Sequence, residues 1–231
     1  MAAVERTGAT PPPAPASRGV RSHVIALVAL TFGSGATDAV AFLGMGGVFT
    51  ANQTGNLVLV GLVGREAYGA TALRAVVAAA AFALALYAGF RLTRGPRAVG
   101  SAPRLLLAAL PLHLLVLLGW WVADAEPSSA LILGLLAVSA MAMALQTVAA
   151  RRMTSAFGIA TTFVTGTLTA IFQGVVEGRG DGNRVRVAVV VALVLGALSG
   201  ATLLELVPLA APAIAPLAVA GAIAVMRAGT D

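Results

Sequence analysis

Apolar runs of about 20 residues recur along nearly the whole chain, and short segments carrying most of the charges separate them. A run of that length is enough for an α-helix to cross the hydrocarbon core of a bilayer. The pattern therefore predicts an all-α, polytopic membrane protein. Its apolar segments cover residues 23–45, 48–64, 69–90, 105–123, 129–150, 157–176, 186–206 and 209–226.

The first 22 residues differ from the rest, since several prolines between positions 11 and 15 lie among alanine, serine and glycine. Such a segment cannot bury enough apolar surface to fold by itself. We expect residues 1–22 to be a disordered cytoplasmic tail and residues 23–227 to form a single transmembrane domain. The first apolar run is predicted to be a retained helix rather than a signal peptide, because it is long, contains Asp38 and lacks a cleavage site.

The positions of the arginines favour six crossings over eight. In this topology segments 48–64 and 157–176 are re-entrant or broken, the other six apolar segments cross, and the N-terminus is cytoplasmic. Eight crossings would instead move the arginines between 91 and 104 and those at 151–152 outside. The favoured topology places these arginines on the inner face of an inner membrane: Arg18, Arg21, Arg91, Arg94, Arg97, Arg104, Arg151, Arg152, Arg179, Arg184, Arg186 and Arg227.

The two halves of the chain, about 23–123 and 129–226, then have the same order of segments. Each consists of a span, a Thr-Gly segment and two further spans. Because each half crosses an odd number of times, the second half is inverted relative to the first. Inverted repeats are common in transporters, whose binding sites lie at the repeat interface near the bilayer midplane.

Polar residues are concentrated in the two Thr-Gly segments. Asp38 precedes the first segment by about the interval at which Gln146 precedes the second. We predict that the two segments face each other and form one small polar site. Its candidate substrate-binding residues are Asp38, Asn52, Gln53, Thr54, Gly55, Asn56, Gln146, Thr161, Thr162, Thr165 and Gly166.

Each of these groups also has a structural alternative. A carboxyl group such as Asp38 inside a bilayer costs a few kcal/mol and usually faces a bundle interior or a wet cavity, which suits proton or cation coupling. Alternatively it is a neutral carboxyl that bonds to Asn or Thr and locks helices together. Asn52 and Gln53 could lie in an ordinary wet loop, with Asn56 capping the following helix.

Three further features have mainly structural interpretations. His113 lies within an apolar helix, where a hydrogen-bonded side chain is favoured over a proton relay. Trp120 and Trp121 are predicted to form an interfacial belt at the outer face. Gly196 and Gly200 form a GxxxG pattern, which is typical of close helix packing.

Composition excludes several classes of function. Hydrophobic residues make up 59% of the chain and charged residues 10%, whereas soluble globular proteins are about 25% charged. The net charge of +6 is explained by cytoplasmic loops rather than by nucleic-acid binding. The chain has no cysteine and two distant histidines, so no metal site is predicted. Motifs of hydrolases and nucleotide-binding enzymes are absent, so we predict neither an enzyme nor a cofactor.

The sequence also resembles a family of membrane proteins. The segments Gly35–Leu43 and Phe49–Leu57, followed by Leu145-Gln146, Thr161-Thr162 and Thr165-Gly166, are similar to the YoaK-like family of small bacterial membrane proteins, a domain of unknown function. The resemblance covers about residues 23–226. It implies an inner-membrane protein of about six helices that is sometimes described as a permease, and it supplies no substrate.

These observations favour a secondary transporter or permease for a small polar solute. Asp38 would be its coupling or charge-sensing group, and the Thr-Gly segments would bind the solute by hydrogen bonds. The alternative is a non-transporting membrane sensor or scaffold. The expected partners are the lipid bilayer and the unknown solute, and a homo-oligomer is compatible with the sequence.

Overall fold

A computed structural model describes residues 18–98, 100–155, 164–178 and 182–229. Helices dominate these ranges and no strand occurs in them, which confirms the predicted all-α class. The α-helices are α1 (Arg18–Gly44), α2 (Gln53–Gly61), α3 (Tyr68–Leu92), α4 (Ala102–Val122), α5 (Ser129–Ser155), α6 (Val164–Val176), α7 (Asn183–Leu206) and α8 (Ile214–Ala228). Short 3₁₀ helices cover Gly95–Ala98 and Pro208–Ala213.

Six of the described helices are long and apolar enough to cross a membrane, and they coincide with the six predicted spans. They are α1, α3, α4, α5, α7 and α8 with its preceding 3₁₀ turn. Helix α2 has 9 residues and the described α6 has 13. At about 1.5 Å per residue, neither reaches across a hydrocarbon core of about 30 Å.

Helix α1 begins at Arg18, so residues 18–22 are helical rather than part of the predicted tail. Packing explains this earlier start. Ser22 is buried against Gly229 at the end of α8, and its hydroxyl donates to the Gly19 carbonyl oxygen at 2.9 Å. The first turns of α1 are thus held against the end of the last helix.

Helices α1 and α5 each pack against two other spans. Helix α1 packs along α7 and α8, whereas α5 packs along α3 and α4. Helix α4 also contacts α8, α2 packs on α3, and α6 packs on α7.

Glycines bring α1 and α7 into backbone contact. A Cβ atom on Gly196 would overlap the Phe32 carbonyl oxygen, and one on Gly200 would lie 2.6 Å from the Ala36 carbonyl oxygen. Gly35 of α1 meets the backbone at Leu193 in the same way. The GxxxG pattern is therefore confirmed as a helix contact, where small residues allow backbones to approach closely.

The predicted interfacial belt is wrong for Trp120 and stays a prediction for Trp121. Trp121 is 61% exposed, but Trp120 is 1% exposed and packs against Gly44. The Trp120 indole N–H donates to the Pro208 carbonyl oxygen at 3.0 Å. Because this bond satisfies its one polar group, the ring can be buried in the bundle.

The α1–α7 contact leads to a stability prediction. Gly196→Ala adds a methyl group where no space exists, so we expect it to lower unfolding free energy by about 1–3 kcal/mol. The control is Gly221→Ala on α8, because nothing lies within 4 Å of a Cβ there. Thermal unfolding in detergent should show a lower Tm for Gly196→Ala alone. Equal Tm values for both variants would contradict the close contact.

Candidate functional site

The Asp38 carboxylate binds the backbone that leads into α2. Its Oδ1 accepts hydrogen bonds from the N–H groups of Thr50 at 2.8 Å and Ala51 at 2.7 Å, and its Oδ2 accepts one from Asn52 N–H at 3.0 Å. The Thr50 hydroxyl approaches Oδ1 at 3.4 Å. A helix start has unpaired N–H donors and favours negative charge, so the carboxylate suits this position. Asp38 therefore fixes segment 50–52 to α1.

The side chains of Asn56 and Gln53, both in α2, bond to the backbone of the same loop. The Asn56 side-chain oxygen accepts the Phe49 N–H at 2.9 Å, while its amide nitrogen donates to the Phe49 carbonyl oxygen at 2.7 Å. The same nitrogen donates to Gln53 Oε1 at 2.9 Å, and Gln53 Nε2 donates to the Thr50 carbonyl oxygen at 2.9 Å. Asn56 is fully buried, and these bonds satisfy the polar atoms of its side chain.

Asn52, Thr54 and Gly55 have more local roles in the described structure. Asn52 Oδ1 caps α2 by accepting the Gly55 N–H at 3.1 Å. Thr54 is exposed. Gly55 lies under the Phe49 ring, because a Cβ on it would be 2.8 Å from two ring carbons. The glycine is explained by close packing of an aromatic ring rather than by a break in the helix.

The second Thr-Gly segment is described only in part. Thr161 and Thr162 lie outside the described residues. Thr165 and Gly166 are exposed in the first turn of α6, where the Thr165 carbonyl oxygen accepts the Thr169 hydroxyl at 2.9 Å. The helix packs on α7, whereas α2 packs on α3. The described candidate residues are thus divided between two places, one around Asp38 and one near Gln146 and α6.

A polar cavity of about 130 Å³ lies between α1, α5, α6 and α7. Gln146 lines it and ties α5 to α1, because its Nε2 donates to the Leu30 carbonyl oxygen at 2.9 Å. The other polar residues of the wall are hydroxyl residues that we did not predict: Thr31, Ser34, Thr147 and Thr167. The sequence contained one signal for these wall residues. Thr31 and Ser34 precede Asp38 by seven and four residues, a spacing that puts all three on one helix face.

The cavity and the Asp38 loop lie along one face of α1. Ser34 and Asp38 are one helical turn apart, which is a rise of about 6 Å along the axis. Because Asp38 holds segment 50–52, that segment lies on the same face as the cavity, one turn nearer the C-terminal end of α1.

His113 of α4 lies beside Gln146 but does not line the cavity. Its ring is 2% exposed, lies beside the Gln146 side chain, and its Nε2 has no hydrogen-bond partner among the described residues. It faces a void of about 10 Å³ that Thr37 and Ser139 also line. Such a volume is close to the minimum for one water molecule. Within the described ranges, no cluster of three potential metal ligands occurs.

Two arginines bring positive charge close to the loop. The Arg74 guanidinium lies against Gly46 and leaves no space for a side chain there, and the Arg65 guanidinium lies beside Gly47. Both glycines have positive φ values, 89° and 78°, which favour glycine for a second reason. The turn between α1 and segment 50–52 is thus covered by two cationic groups.

Comparisons with known proteins agree with the membrane assignment. Residues 26–226 match the family described as "Protein of unknown function (DUF1275)". The chain is also similar to the UPF0700 transmembrane protein YoaK of Bacillus subtilis (strain 168), with 33% identity over 161 residues, or 67% of each chain. No solved structure matches the chain. The family resemblance stated above is confirmed, and a multi-pass membrane protein is supported.

The Asp38 contacts predict a specific local effect of Asp38→Asn. The amide keeps one acceptor oxygen but places a donor group beside a backbone N–H. We therefore expect the free energy of unfolding to fall by about 1–3 kcal/mol. Amide hydrogen exchange should accelerate at Thr50, Ala51 and Asn52. The control is Asp124→Asn, since Asp124 is exposed in a turn. Unchanged exchange at all three amides would contradict the assigned bonds.

Proposed function

The chain belongs to the DUF1275 family, and from this premise we propose that it is a permease or secondary transporter for a small polar solute. The observation that carries the proposal is the cavity of about 130 Å³, with hydroxyl and amide groups in its wall, that lies between α1, α5, α6 and α7 of a six-span bundle. Polar groups inside a bilayer are costly, so they commonly mark a solute path. An enzymatic role is not proposed.

The position of the cavity supports transport. Its lining residues on α1, Leu27–Ser34, and on α5, Met143–Ala150, lie in the interior of helices that each have 27 residues. If these helices span the bilayer, the cavity extends from the arginine-bearing end of α5 toward the middle of α1. Substrate sites of secondary transporters are found near the midplane, between repeated helix bundles.

The packing also supports an inverted repeat, which we propose for α1–α4 and α5–α8. Each set has the order long, short, long, long. The packing of α1 on α7 is mirrored by that of α5 on α3, and α1 on α8 is mirrored by α5 on α4. The short helices follow the same rule, since α2 packs on α3 and α6 on α7. In this scheme the first half contributes α1 to the cavity wall, and the second half contributes α5, α6 and α7.

Asp38 is proposed as the coupling group through its bonds to the loop. A proton or a bound cation would compete with the three N–H groups for the carboxylate, and would weaken its hold on segment 50–52. Release of that segment would free this end of α1 to move, and α1 forms one wall of the cavity. Ion uptake and access to the solute site would then be coupled through one side chain.

A sensor or scaffold is the alternative, and one observation favours it. The bonds among Asp38, Gln53 and Asn56 pair the loop with itself, as a purely structural lock would. Transport assays separate the two functions.

Flux measurements test the permease. Proteoliposomes should take up members of a panel of polyols, amides, amino acids and carboxylates, and Asp38→Asn should abolish uptake while Asp124→Asn retains it. Far-UV circular dichroism and gel filtration verify that both variants fold. Should Asp38→Asn lower only the Tm and leave flux per folded protein unchanged, Asp38 would be structural.

Membrane topology supplies a separate test, in which we propose an inner-membrane protein with a cytoplasmic N-terminus. Because the chain lacks cysteine, single cysteines can be introduced without background. A membrane-impermeant thiol reagent on intact cells, after outer-membrane permeabilisation where needed, should label Ala67→Cys and Glu126→Cys. It should not label Ala98→Cys or Glu177→Cys. Labelling of Glu177→Cys would place the end of α6 outside and remove the inverted repeat.

A further inference from the structure

We infer that the cavity between α1, α5, α6 and α7 binds a small uncharged solute that carries hydroxyl or amide groups. The assignment of this solute as transported rests on the proposed function, but its binding does not. Three properties of the cavity carry the inference: the charge of its wall, its free hydrogen-bonding groups and its volume.

Among the residues that the structure describes, the wall has no charged side chain. Its polar members are hydroxyls and one amide, and the remainder are alanine, methionine, leucine and valine residues such as Leu27, Val190 and Leu193. An ion in such a wall loses its hydration without gaining a counter-charge, which costs several kcal/mol. The acid nearest along α1, Asp38, is already bonded to segment 50–52. The wall therefore selects against charged solutes.

The hydroxyls leave hydrogen-bonding capacity for a ligand. Thr167 is 1% exposed and its hydroxyl has no partner, and the Ser34 hydroxyl also has none among the described residues. Thr31 and Thr147 donate to carbonyl oxygens of their own helices at 2.8 Å, so their hydroxyl oxygens remain acceptors. An unpaired buried polar group costs about 1–3 kcal/mol. A solute that both donates and accepts would remove this cost.

The volume limits the size of the solute. A cavity of about 150 Å³ in another protein accommodates benzene, which has six heavy atoms. The cavity of about 130 Å³ found here therefore suits solutes of about six heavy atoms or fewer. Glycerol and urea have suitable sizes and polar groups. The aliphatic part of the wall would contact the carbon atoms of a polyol.

Cysteine protection tests binding independently of transport. Ala150 lines the cavity without contributing a polar side-chain atom, so Ala150→Cys reports occupancy and leaves the hydroxyls intact. The purified variant in detergent is titrated with glycerol or urea, and with glycolate or ethanolammonium at equal ionic strength, while a small methanethiosulfonate reagent labels it. A solute at about twice its Kd should slow labelling about threefold. Ala125→Cys, in the turn after α4, corrects for viscosity and reagent effects.

A second set of variants tests whether the protection depends on the side chains of Thr167 and Gln146. Thr167→Val and Gln146→Leu in the Ala150→Cys background should abolish protection by the uncharged solutes. Thr169→Val is the matched control, since the Thr169 hydroxyl is on the same helix but bonds to the Thr165 carbonyl oxygen. Protection by glycerol or urea alone, lost in the first two variants and retained in the third, is the expected result.

The remaining outcomes distinguish failure of the binding inference from failure of the proposed permease function. Equal or stronger protection by the charged solutes, or no protection by either uncharged solute, overturns the inference. Protection by uncharged solutes without flux in proteoliposomes supports the inference and overturns the permease. Flux of charged solutes without protection by glycerol or urea overturns the inference and leaves the permease standing.

Discussion

The bonding of one carboxylate to three backbone N–H groups is the interaction on which the candidate site depends. Inside a bilayer, backbone that leaves a helix must find partners within the protein or line a wet cavity. Asp38 provides those partners for Thr50, Ala51 and Asn52, and thereby determines where α2 begins and which helix the loop lies on. Because the loop is held on the cavity face of α1, the same bonds connect the solute site to an ionisable group.

The bundle has two polar regions, one around Asn56 and one around Gln146. They differ in whether their polar groups have hydrogen-bond partners within the described protein. Around Asn56, side-chain and backbone groups pair with one another, so little capacity remains for a ligand. Around Gln146, the hydroxyls of Ser34 and Thr167 border a cavity and have no hydrogen-bond partner within the described part of the chain. The first region is therefore suited to fixing a loop and the second to binding a solute. This division of roles explains why one chain would keep two polar regions at membrane depth.

Hydropathy and the positions of the arginines were sufficient to predict the six spans, because hydropathy located eight apolar segments and the positive-inside rule favoured six of them as crossings. The GxxxG pattern predicted a close helix contact at Gly196 and Gly200, but not that its partner is α1. Long-range partners were not predictable. Hydropathy could not show that Trp120 turns inward, or that Gln146 bonds to Leu30 rather than to the first Thr-Gly segment. Thr31 was overlooked because a helical threonine commonly bonds to its own backbone.

The proposed inverted repeat makes the chemical difference between its halves informative. Helices α1 and α5 occupy equivalent positions, and each is followed by a short helix that packs on the next span. Yet α1 contains Asp38, whereas α5 contains no acidic residue at all. A loop equivalent to 50–52 in the second half could not be held by a carboxylate from α5. Proton or cation binding would therefore act in the first half alone, through Asp38. The second half would have to move without a carboxylate from α5 that holds its loop. An asymmetry of this kind would make ion binding favour one of the two access states, which is the differential affinity that a population shift requires.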